Sequence, residues 1–513
     1  MVLGWLVDPL KKPVFVRSLL MTRYMKHFIG LLILSLFLVT TAYSQQPYSF
    51  ADSSVLSRMK HDVYVLASDS FQGRKSGTIG EKSAYEYIIS RFQQAGLSPK
   101  GDSGSWLQPF PYLIRALGTD NSLTINGKEC RRYDDFDVMD ISSSGDATGE
   151  IVDAGSGLFL PDAGIDDYRG VDVTGKIVLI DLYVPGKWIR DKATSAKVTP
   201  KSRFETAFLK GAAGVICYNP ESHWGRKTPE FDRPDTLSKP VVYVTRKLAE
   251  SILSSKNPSA RIQTRFMTIN YTYHNVVGFC GDPDAPVSVI LGAHYDHEGV
   301  GSKTRLIKNG ADDNASGTAM IMELARYYRQ HPTPGTNYLF IAFSGEEEWL
   351  RGSKYFASRP TIDLSKVSFM FNFDMVGRLG AQGNRVEAVC TGTSPVWKKI
   401  LRDAPGRTFR LKKVPGAGEF SDHHPFYKKD IPIAYLTTGI HSDYHTSRDD
   451  AEKINYTGML SINKYAKGII DNCEKSGKVP FTKVSGLTNF RSMLYYLGMQ
   501  LHYAFTVGYG ELD

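Results

Sequence analysis

Four apolar segments in the second half of the sequence each end in acidic residues or histidine. Their many valines, isoleucines, leucines and phenylalanines are typical of strands that are buried on both faces of a sheet. The C-terminal ends of such strands meet at one edge, where open α/β sheets build their sites. The segments and the residues that follow them are 287–293 with His294-Tyr295-Asp296, 338–344 with Gly345-Glu346-Glu347, 367–373 with Asp374, and 431–438 with Asp443-Tyr444-His445 a few residues later.

A fifth acidic cluster, Asp312-Asp313-Asn314, lies at the start of a predicted helix between the first two segments. One Asp or Asn is ordinary at this position as an N-cap. Two adjacent acids exceed what one cap needs, and backbone N–H groups there keep a carboxylate ionised. Each cluster alone is equally consistent with a buried hydrogen-bonded residue or a surface acid. Together they predict one pocket with two histidines and at least three carboxylates.

Nitrogen and oxygen ligands in this ratio are typical of zinc, with manganese or cobalt as substitutes. The ligands outnumber what one tetrahedral ion needs, so we expect two ions about 3.5–4 Å apart that share a carboxylate. An acid that binds no metal is then available as a general base. Alternation along the first strand places His294 and Asp296 on the same side, so that one binds metal and the other holds its ring.

These motifs closely resemble those of the co-catalytic di-zinc exopeptidases. That group contains secreted bacterial aminopeptidases and glutamate carboxypeptidases, with glutaminyl cyclases as relatives. The similarity covers about residues 53–475 and rests on GAHYDHEGVG, GADDNASG, AFSGEEEWLRGS, NFDMVGR and DYHTSRDD, in that order. It implies an α/β fold of the zinc exopeptidase (phosphorylase/hydrolase-like) type, with a mixed central sheet flanked by helices and an inserted β-rich domain.

The resemblance also implies which residues hold the two Zn²⁺ ions. His294, Asp313 and Asp374 would bind one zinc. Asp313, Glu347 and His445 would bind the other, which makes Asp313 the bridge between them.

Two residues beside these ligands are assigned by the same comparison. Glu346 matches the general base of the family, and Asp296 matches the residue that orients His294. Two histidines, His297 and His441, flank ligands and are not expected to bind metal themselves.

Three residues are candidates for the substrate pocket. Some family members carry a tyrosine shortly before a Ser-Asp-His stretch, where this chain has none, so Tyr444 is the substitute that we consider. Arg378 is a candidate partner for a substrate carboxylate, and Glu419 for a substrate ammonium group. Ser421-Asp422-His423 suggests part of a Ser/His triad, but the chain has no GxSxG motif to support it.

Residues 140–268 have a different character. Strand-like pieces at 149–153, 176–183, 214–218 and 241–244 alternate with turns rich in Gly, Asp and Pro. The stretches YRGVDVTGKIVLI, FLKGAAGVICYN and PVVYVT resemble the protease-associated domain that is inserted in several exopeptidases. The predicted divisions are an N-terminal extension with a signal peptide (1–44), a first part of the peptidase domain (45–139), the insert (140–268), the catalytic domain (269–480), and a segment without a readable motif (481–513).

The first 44 residues have the layout of a secretory signal. Basic residues precede an uncharged apolar run at 28–39, and the small residues Ala42 and Ser44 stand at the −3 and −1 positions of a cleavage site. We therefore expect an exported protein, periplasmic or extracellular, that begins near Gln45 and has no stable membrane insertion after cleavage. An uncleaved N-terminal anchor is the alternative.

Composition removes other classes of function. The chain carries a net charge of +9 without a dense Lys/Arg run that contains aromatics, so a nucleic-acid partner is not expected. Its five cysteines are scattered and form no CxxC pair, so a cysteine zinc site is not expected either. In an oxidising compartment, one or two disulfides would leave at least one thiol unpaired.

The predicted function is therefore a secreted aminopeptidase that removes N-terminal residues from peptides. A carboxypeptidase or dipeptidase on the same site is the nearest alternative. A glutaminyl cyclase is less favoured because it works with one zinc. A non-catalytic receptor is less favoured because such proteins lose ligands that this chain keeps. Neither the side-chain preference nor the oligomeric state follows from the sequence.

Overall fold

The computed structural model describes residues 50–220, 237–301, 304–381, 383–475 and 477–484. The predicted signal segment, 1–44, and all but the first four residues of the segment 481–513 lie outside the described residues. In the part of the chain that is described, no helix is long and apolar enough to cross a bilayer. All five cysteines are free thiols in this structure.

Contacts between Cα atoms divide the chain into two units. One, here called the split unit, combines Met1–Phe110 with Tyr273–Asp513, and the other, the inserted unit, is Pro111–Thr272. The inserted unit contains the whole of the predicted insert, 140–268.

The strands of both units are given in chain order: β1 (Ser98–Pro99), β2 (Leu107–Leu117), β3 (Ser122–Ile125), β4 (Lys128–Glu129), β5 (Phe136–Val138), β6 (Gly145–Asp153), β7 (Phe159–Leu160), β8 (Ile165–Asp166), β9 (Ile177–Asp181), β10 (Gly214–Tyr218), β11 (Val241–Val244), β12 (Ser259–Thr264), β13 (Phe266–Cys280), β14 (Val287–His294), β15 (Gly299–Val300), β16 (Ile307–Lys308), β17 (Thr336–Phe343), β18 (Val367–Phe373), β19 (Arg385–Val389), β20 (Arg410–Val414) and β21 (Ile433–Thr437).

The helices are α1 (Phe50–Leu66), α2 (Ile79–Ala95), α3 (Gly186–Arg190), α4 (Pro200–Leu209), α5 (Arg246–Leu253), α6 (Gly317–Gln330), α7 (Arg351–Ser358), α8 (Trp397–Asp403), α9 (His423–Tyr427) and α10 (Tyr456–Lys475). Short 3₁₀ segments are Asp69–Arg74, Asp102–Gly104, Pro161–Ala163, Leu364–Lys366 and Ala451–Lys453, and a π-type turn covers Ala311–Ser316.

The split unit is built on a mixed sheet with the strand order β1-β13-β17-β14-β18-β21-β19-β20, in which β2 also pairs with β13. The four apolar segments of the sequence become β14, β17, β18 and β21. They are neighbours, and all three pairings among them are parallel. The predicted mixed sheet is therefore confirmed, and its parallel centre brings the four strand ends to one edge.

Helices cover both faces of this sheet because its central strands are apolar on both sides. Val289 and Leu291 pack in a core with α1, α2, α6 and α10. Ile290, which lies between them, packs on the opposite face with Phe356 of α7 and Phe426 of α9. The alternation follows the two-residue period of a strand. Each such fully buried side chain contributes about 1.5–3 kcal/mol, which makes the central strands a rigid support for the residues at their ends.

The inserted unit contains a second sheet, with the strand order β4-β3-β12-β6-β9-β10-β11-β5. Its centre, β6 to β11, is parallel. Val178 and Ile180 of β9 pack with Phe204 and Phe208 of α4, and residues of the opposite face pack with α5. The four predicted strand-like pieces correspond to β6, β9, β10 and β11, so the expected β-rich insert is confirmed.

Candidate metal centre

The six residues predicted to bind metal or to act as base meet at the C-terminal edge of the parallel strands. Each has a side-chain donor or acceptor atom within 4.0 Å of another member of the set. The histidines are at most 8% exposed. The set consists of His294 at the end of β14, Glu346 and Glu347 after β17, Asp374 after β18, His445 after β21, and Asp313 in the turn before α6.

Asp313 lies at the centre of the cluster, and its two carboxylate oxygens face different histidines. Its Oδ1 is 3.3 Å from Nε2 of His294, and its Oδ2 is 3.0 Å from Nε2 of His445. His294 Nε2 also lies 3.3 Å from Oδ1 of Asp374. His445 Nε2 is also 3.1 Å from Oε2 of Glu347. The cluster is thus two groups that share one carboxylate.

The turn that carries Asp313 is held by distant residues. Oδ2 of Asp449 accepts hydrogen bonds from the backbone N–H groups of Asp312 (2.9 Å) and Asp313 (3.1 Å). The guanidinium of Arg74, which is fully buried, donates to the carbonyl oxygens of Asn309 (2.6 Å) and Gly310 (2.8 Å). These bonds fix the backbone just before the turn, at Asn309 and Gly310, and inside it, at Asp312 and Asp313. The Asp313 carboxylate is therefore positioned before any ion binds.

Asp312, the neighbouring acid, serves a different set of partners. Its Oδ1 accepts from the backbone N–H of Gly377 at 2.6 Å and from the Ser316 hydroxyl at 3.1 Å. Its Oδ2 is 3.2 Å from Nε2 of His441. Asp312 and His441 therefore form a pair beside the centre, and Asp313 alone of the two acids contacts the ligand histidines.

Asp296 was predicted to orient His294, and it contacts that ring mainly through its backbone. Nδ1 of His294 is 3.2 Å from the carbonyl oxygen of Asp296 and 3.7 Å from its carboxylate. The carboxylate instead accepts from the backbone N–H of Glu346 at 3.2 Å and from the Ser76 hydroxyl at 3.2 Å. Asp296 thus links the predicted ligand His294 to the predicted base Glu346.

Electrostatics separates the carboxylates into two kinds. Burial, together with the nearby charges of Asp374 and Glu347, raises the pKa of Glu346 well above its ordinary value. Burial opposes ionisation of Asp313 as well, but hydrogen bonds from His294 and His445 hold its pKa well below the usual range. Burial also opposes ionisation of Glu347, but the nearby charge of His445 is the main cause that lowers the pKa of Glu347 to about 2. Asp313 and Glu347 therefore have the character of anionic ligands, whereas burial raises the pKa of the predicted ligand Asp374 as it does that of Glu346.

The donor set fits divalent metal ions. Four carboxylates (Asp313, Glu346, Glu347 and Asp374) lie together in a largely buried site. Within the described ranges, every ion pair recorded for them is to a histidine ring. Such an excess of buried negative charge requires protons or cations. Oxygen and imidazole donors in two groups suit zinc in particular.

The three candidate substrate residues have different surroundings. Tyr444 lines a pocket together with Asp313, Glu346 and Asp374, and its ring stacks on His445 at a centroid distance of 3.8 Å. The guanidinium of Arg378 is bound to Asp443 at 2.9 Å and lies 3.6 Å from Asp449. Glu419 is bound to Lys354 at 3.0 Å, and its side chain is 53% exposed. Only Tyr444 of the three lines the pocket.

Sequence reasoning missed three residues that contact this centre and the role of a fourth, His297, which it named only as a neighbour of ligands. Arg74 and Asp449 hold the Asp313 turn, and nothing in their sequence neighbourhoods indicates it. His297 lies 2.7 Å from Glu347, and Glu298 lies 3.3 Å from His445. Their position directly after the His-x-Asp motif was the one available signal for the last two.

Two family models match the chain. Peptidase family M28 matches residues 275–470, and the PA domain matches residues 147–252. The first contains all six residues of the centre, and the second lies within the inserted unit.

Individual relatives agree with these matches. Aminopeptidase YwaD of Bacillus subtilis is 25% identical over 466 residues, which cover 88% of this chain and 93% of that protein. The solved aminopeptidase from Aneurinibacillus sp. strain AM-1 has a TM-score of 0.55 at 23% identity, covering 84% of this chain and 95% of that one. The zinc aminopeptidase BSAP of Bacillus subtilis has a TM-score of 0.51 at 22% identity, covering 84% and 96%. These solved structures share the fold.

The resemblance to zinc exopeptidases with an inserted protease-associated domain is therefore confirmed. The strand ends, the buried ligand-type residues and the family matches all fall on the same part of the chain. The chain is a zinc-dependent metallopeptidase whose residues 275–470 match peptidase family M28, with a match to the PA domain at residues 147–252 ahead of them.

Proposed function

We propose that the protein is a two-zinc aminopeptidase that removes N-terminal residues from peptides. The observation that carries the proposal is the position of Asp313, whose Oδ1 and Oδ2 lie 3.3 Å and 3.0 Å from His294 and His445. A carboxylate that faces one histidine with each oxygen is arranged to bridge two ions. His294 and Asp374 would complete one ligand set, and Glu347 and His445 the other.

The bound zinc ions would lower the pKa of a water molecule between them and polarise the carbonyl of the scissile bond. Glu346 is the base, because its side chain lies beside both groups without the histidine hydrogen bonds that the ligands make. Its carboxylate accepts a proton as the water oxygen bonds to the carbonyl carbon. It then donates that proton to the leaving amine nitrogen as the C–N bond breaks.

The preference for N-terminal cleavage is supported by the state of Arg378. A carboxypeptidase needs a cation to hold the C-terminal carboxylate of its substrate. Arg378, the candidate for that role, is 12% exposed in its side chain and already paired with Asp443. The names of the relatives agree, since YwaD and both solved structures described above are aminopeptidases.

Export is also part of the proposal, on the strength of the signal-like pattern at residues 1–44. Sequencing the N-terminus of the chain recovered from the periplasm or the medium tests it. A mature chain that begins near Gln45 is expected, and a chain that stays in the cytoplasm with residues 1–44 attached would contradict export.

Metal content and end-blocked peptides test the activity. We expect two zinc ions per chain at saturation, hydrolysis of aminoacyl chromogenic substrates, and loss of activity with a chelator that added zinc restores. A peptide with a C-terminal amide should be cleaved and the same peptide with an N-terminal acetyl group should not. One ion per chain, or the opposite blocking pattern, would overturn the proposal.

A further inference from the structure

We infer that His297 and Glu298 are positioning residues for one of the two zinc sites. His297 holds the carboxylate of Glu347, and Glu298 holds the imidazole of His445. The inference rests on the proposed function, since both residues act on proposed ligands of the second zinc. It adds two consecutive residues that contact one ligand group, whereas the carbonyl of Asp296 and the hydroxyl of Ser421 contact ligands of the other.

The contact of His297 with Glu347 has the length of a strong hydrogen bond. Nδ1 of His297 lies 2.7 Å from Oε1 of Glu347. The other oxygen, Oε2, is the one that lies 3.1 Å from His445. The carboxylate therefore offers one oxygen to the zinc ligand group and the other to His297. An imidazole N–H that donates to a ligand carboxylate fixes its rotation.

His297 lies close enough to Asp313, Glu347 and His445 to share a metal ion with them, but two distances favour the donor role over direct binding. Its Nδ1 is 3.6 Å from Oδ2 of Asp313, which is farther than the 3.0 Å between that oxygen and His445. Its close contact, at 2.7 Å, is to Oε1 of Glu347, whereas His445 lies closest to Oε2 of that carboxylate. The ring is fully buried beside Gly310, which has a φ of +56°, and a Cβ atom at that glycine would lie 2.5 Å from the ring. The fold thus places this imidazole in one defined position.

Glu298 acts on the far side of His445. Its Oε1 lies 3.3 Å from Nδ1 of that ring, whose Nε2 faces Asp313 and Glu347. A carboxylate beside Nδ1 keeps the proton on that nitrogen and leaves the lone pair of Nε2 for a metal. Lys308 binds the other oxygen of Glu298. The short hairpin of β15 and β16 pairs Gly299 with Lys308, which brings the lysine beside Glu298.

His294, the histidine of the first group, is oriented by a different residue, Asp296. Its Nδ1 contacts a backbone carbonyl at 3.2 Å, and the nearest carboxylate oxygen recorded for that nitrogen, in Asp296, is 3.7 Å away. Removal of His297 or Glu298 should therefore weaken one zinc site and spare the other.

Zinc titration of the metal-free full-length protein against a chromophoric chelator tests this. The wild type should show two binding steps. His297→Ala and Glu298→Ala should each weaken one step about 10–100-fold and leave the other unchanged. His61→Asn, on the exposed face of α1, is the control and should change neither.

Two further substitutions at His297 separate positioning from direct ligation. The amide of His297→Asn can donate to Glu347 near the place of Nδ1, so it should restore most of the lost affinity. His297→Asp can bind a metal but cannot donate when ionised, so it should remain weak. Strong binding by the Asp variant and weak binding by the Asn variant would overturn the inference in favour of a ligand role.

The same titration separates the failure of this inference from the failure of the proposed function. If the wild type binds fewer than two zinc ions, the proposed function fails. If the wild type binds two and both alanine variants keep both affinities, the function stands and the inference is wrong. The d–d spectrum of the cobalt-substituted protein provides a readout that does not depend on turnover, and it should change in the alanine variants and not in His61→Asn.

Discussion

Parallel strands end in acidic residues in both units of the chain, yet the acids do different things. In the inserted unit, β6 and β9 end in Asp153 and Asp181. Oδ1 of Asp153 accepts from the backbone N–H of Gly155 at 2.9 Å, and Oδ1 of Asp181 accepts from the backbone N–H of Tyr183 at 2.9 Å. In the split unit, Asp374 follows β18, and its carboxylate faces His294, which is 80 residues earlier.

The difference lies in whether the turn that follows the acid supplies a hydrogen-bond donor. Asp153 and Asp181 cap the turns that follow them, as Asp commonly does, and Asp181 also accepts from the Ser156 hydroxyl at 3.1 Å. Asp374 accepts from the Ser421 hydroxyl at 2.8 Å with one oxygen and offers the other to the cluster. An acid after an apolar strand is therefore not a site by itself. Such an acid becomes part of a site when the turn that follows it donates no hydrogen bond to its carboxylate and ligand-type residues from distant parts of the chain lie beside it.

Each unit also has a buried arginine that binds backbone carbonyl oxygens. Arg203 in the inserted unit donates to Ser156 and Asp181 at 2.7 and 2.9 Å. Arg74 in the split unit donates to four carbonyls, two of which belong to the loop before Asp313. The same interaction thus stabilises the fold in one unit and supports the site in the other.

The largest effect should come from exchanging one strand-end acid for its amide in each unit. Glu346→Gln removes the proposed base and should lower kcat by about 10²–10⁴-fold while the zinc content stays at the wild-type value. Asp181→Asn keeps an oxygen that accepts from the backbone of Tyr183, so kcat should stay at the wild-type value. Steady-state kinetics with metal analysis measures both. Equal losses in the two variants would remove the distinction between the units.

A smaller effect is expected from the two arginines. Arg74→Lys and Arg203→Lys keep the charge but leave several buried carbonyls without donors, which should cost about 2–4 kcal/mol of unfolding free energy in each case. Denaturant titration measures that cost, and hydrogen exchange assigns it to β14 or to β9.

Zinc affinity then separates the two arginine variants. Arg74→Lys should bind zinc more weakly because the Asp313 turn loses its support, and Arg203→Lys should bind it as the wild type does. Unchanged zinc affinity in Arg74→Lys would show that the turn holds its shape without the guanidinium.

The smallest effect is a pH dependence that the split unit should show without metal. Burial raises the pKa of Asp422 from 3.8 to about 7. Although burial works against it, nearby carboxylates raise the pKa of His294 and of His445 well above 6.5. A raised pKa stabilises the fold at low pH, and that stability is lost as the pH rises through the folded-state value. The depressed pKa of Glu347, about 2, matters only below its ordinary value of 4.5.

Thermal unfolding of the chelator-treated protein should therefore occur several degrees lower at pH 8 than at pH 5. Added zinc should reduce this slope, because the metal binds the neutral histidines and replaces the protons. A melting temperature that rises from pH 5 to pH 8 in the metal-free protein would contradict the assignment of these buried groups.

Local pattern was sufficient for much of the fold. The apolar runs that became β14, β17, β18 and β21 are buried on both faces, which their unbroken hydrophobicity indicated. The acids and histidines at their ends could be named one by one, since they follow each run directly. The pairing of Arg378 could not be predicted in this way, because its partner Asp443 is 65 residues away and belongs to another loop.

The sequence by itself determined which residue types stand at the ends of the buried strands, because strand periodicity and apolar length are local properties of the chain. It also carried the motifs that mark the M28 match. Only the tertiary structure decided which atoms meet. That Asp313 divides its oxygens between His294 and His445, that Arg74 supports its turn, and that His297 contacts Glu347 all depend on the order of strands in the sheet. Contacts between residues 19 to 236 positions apart are set by that order, and local periodicity carries no information about it.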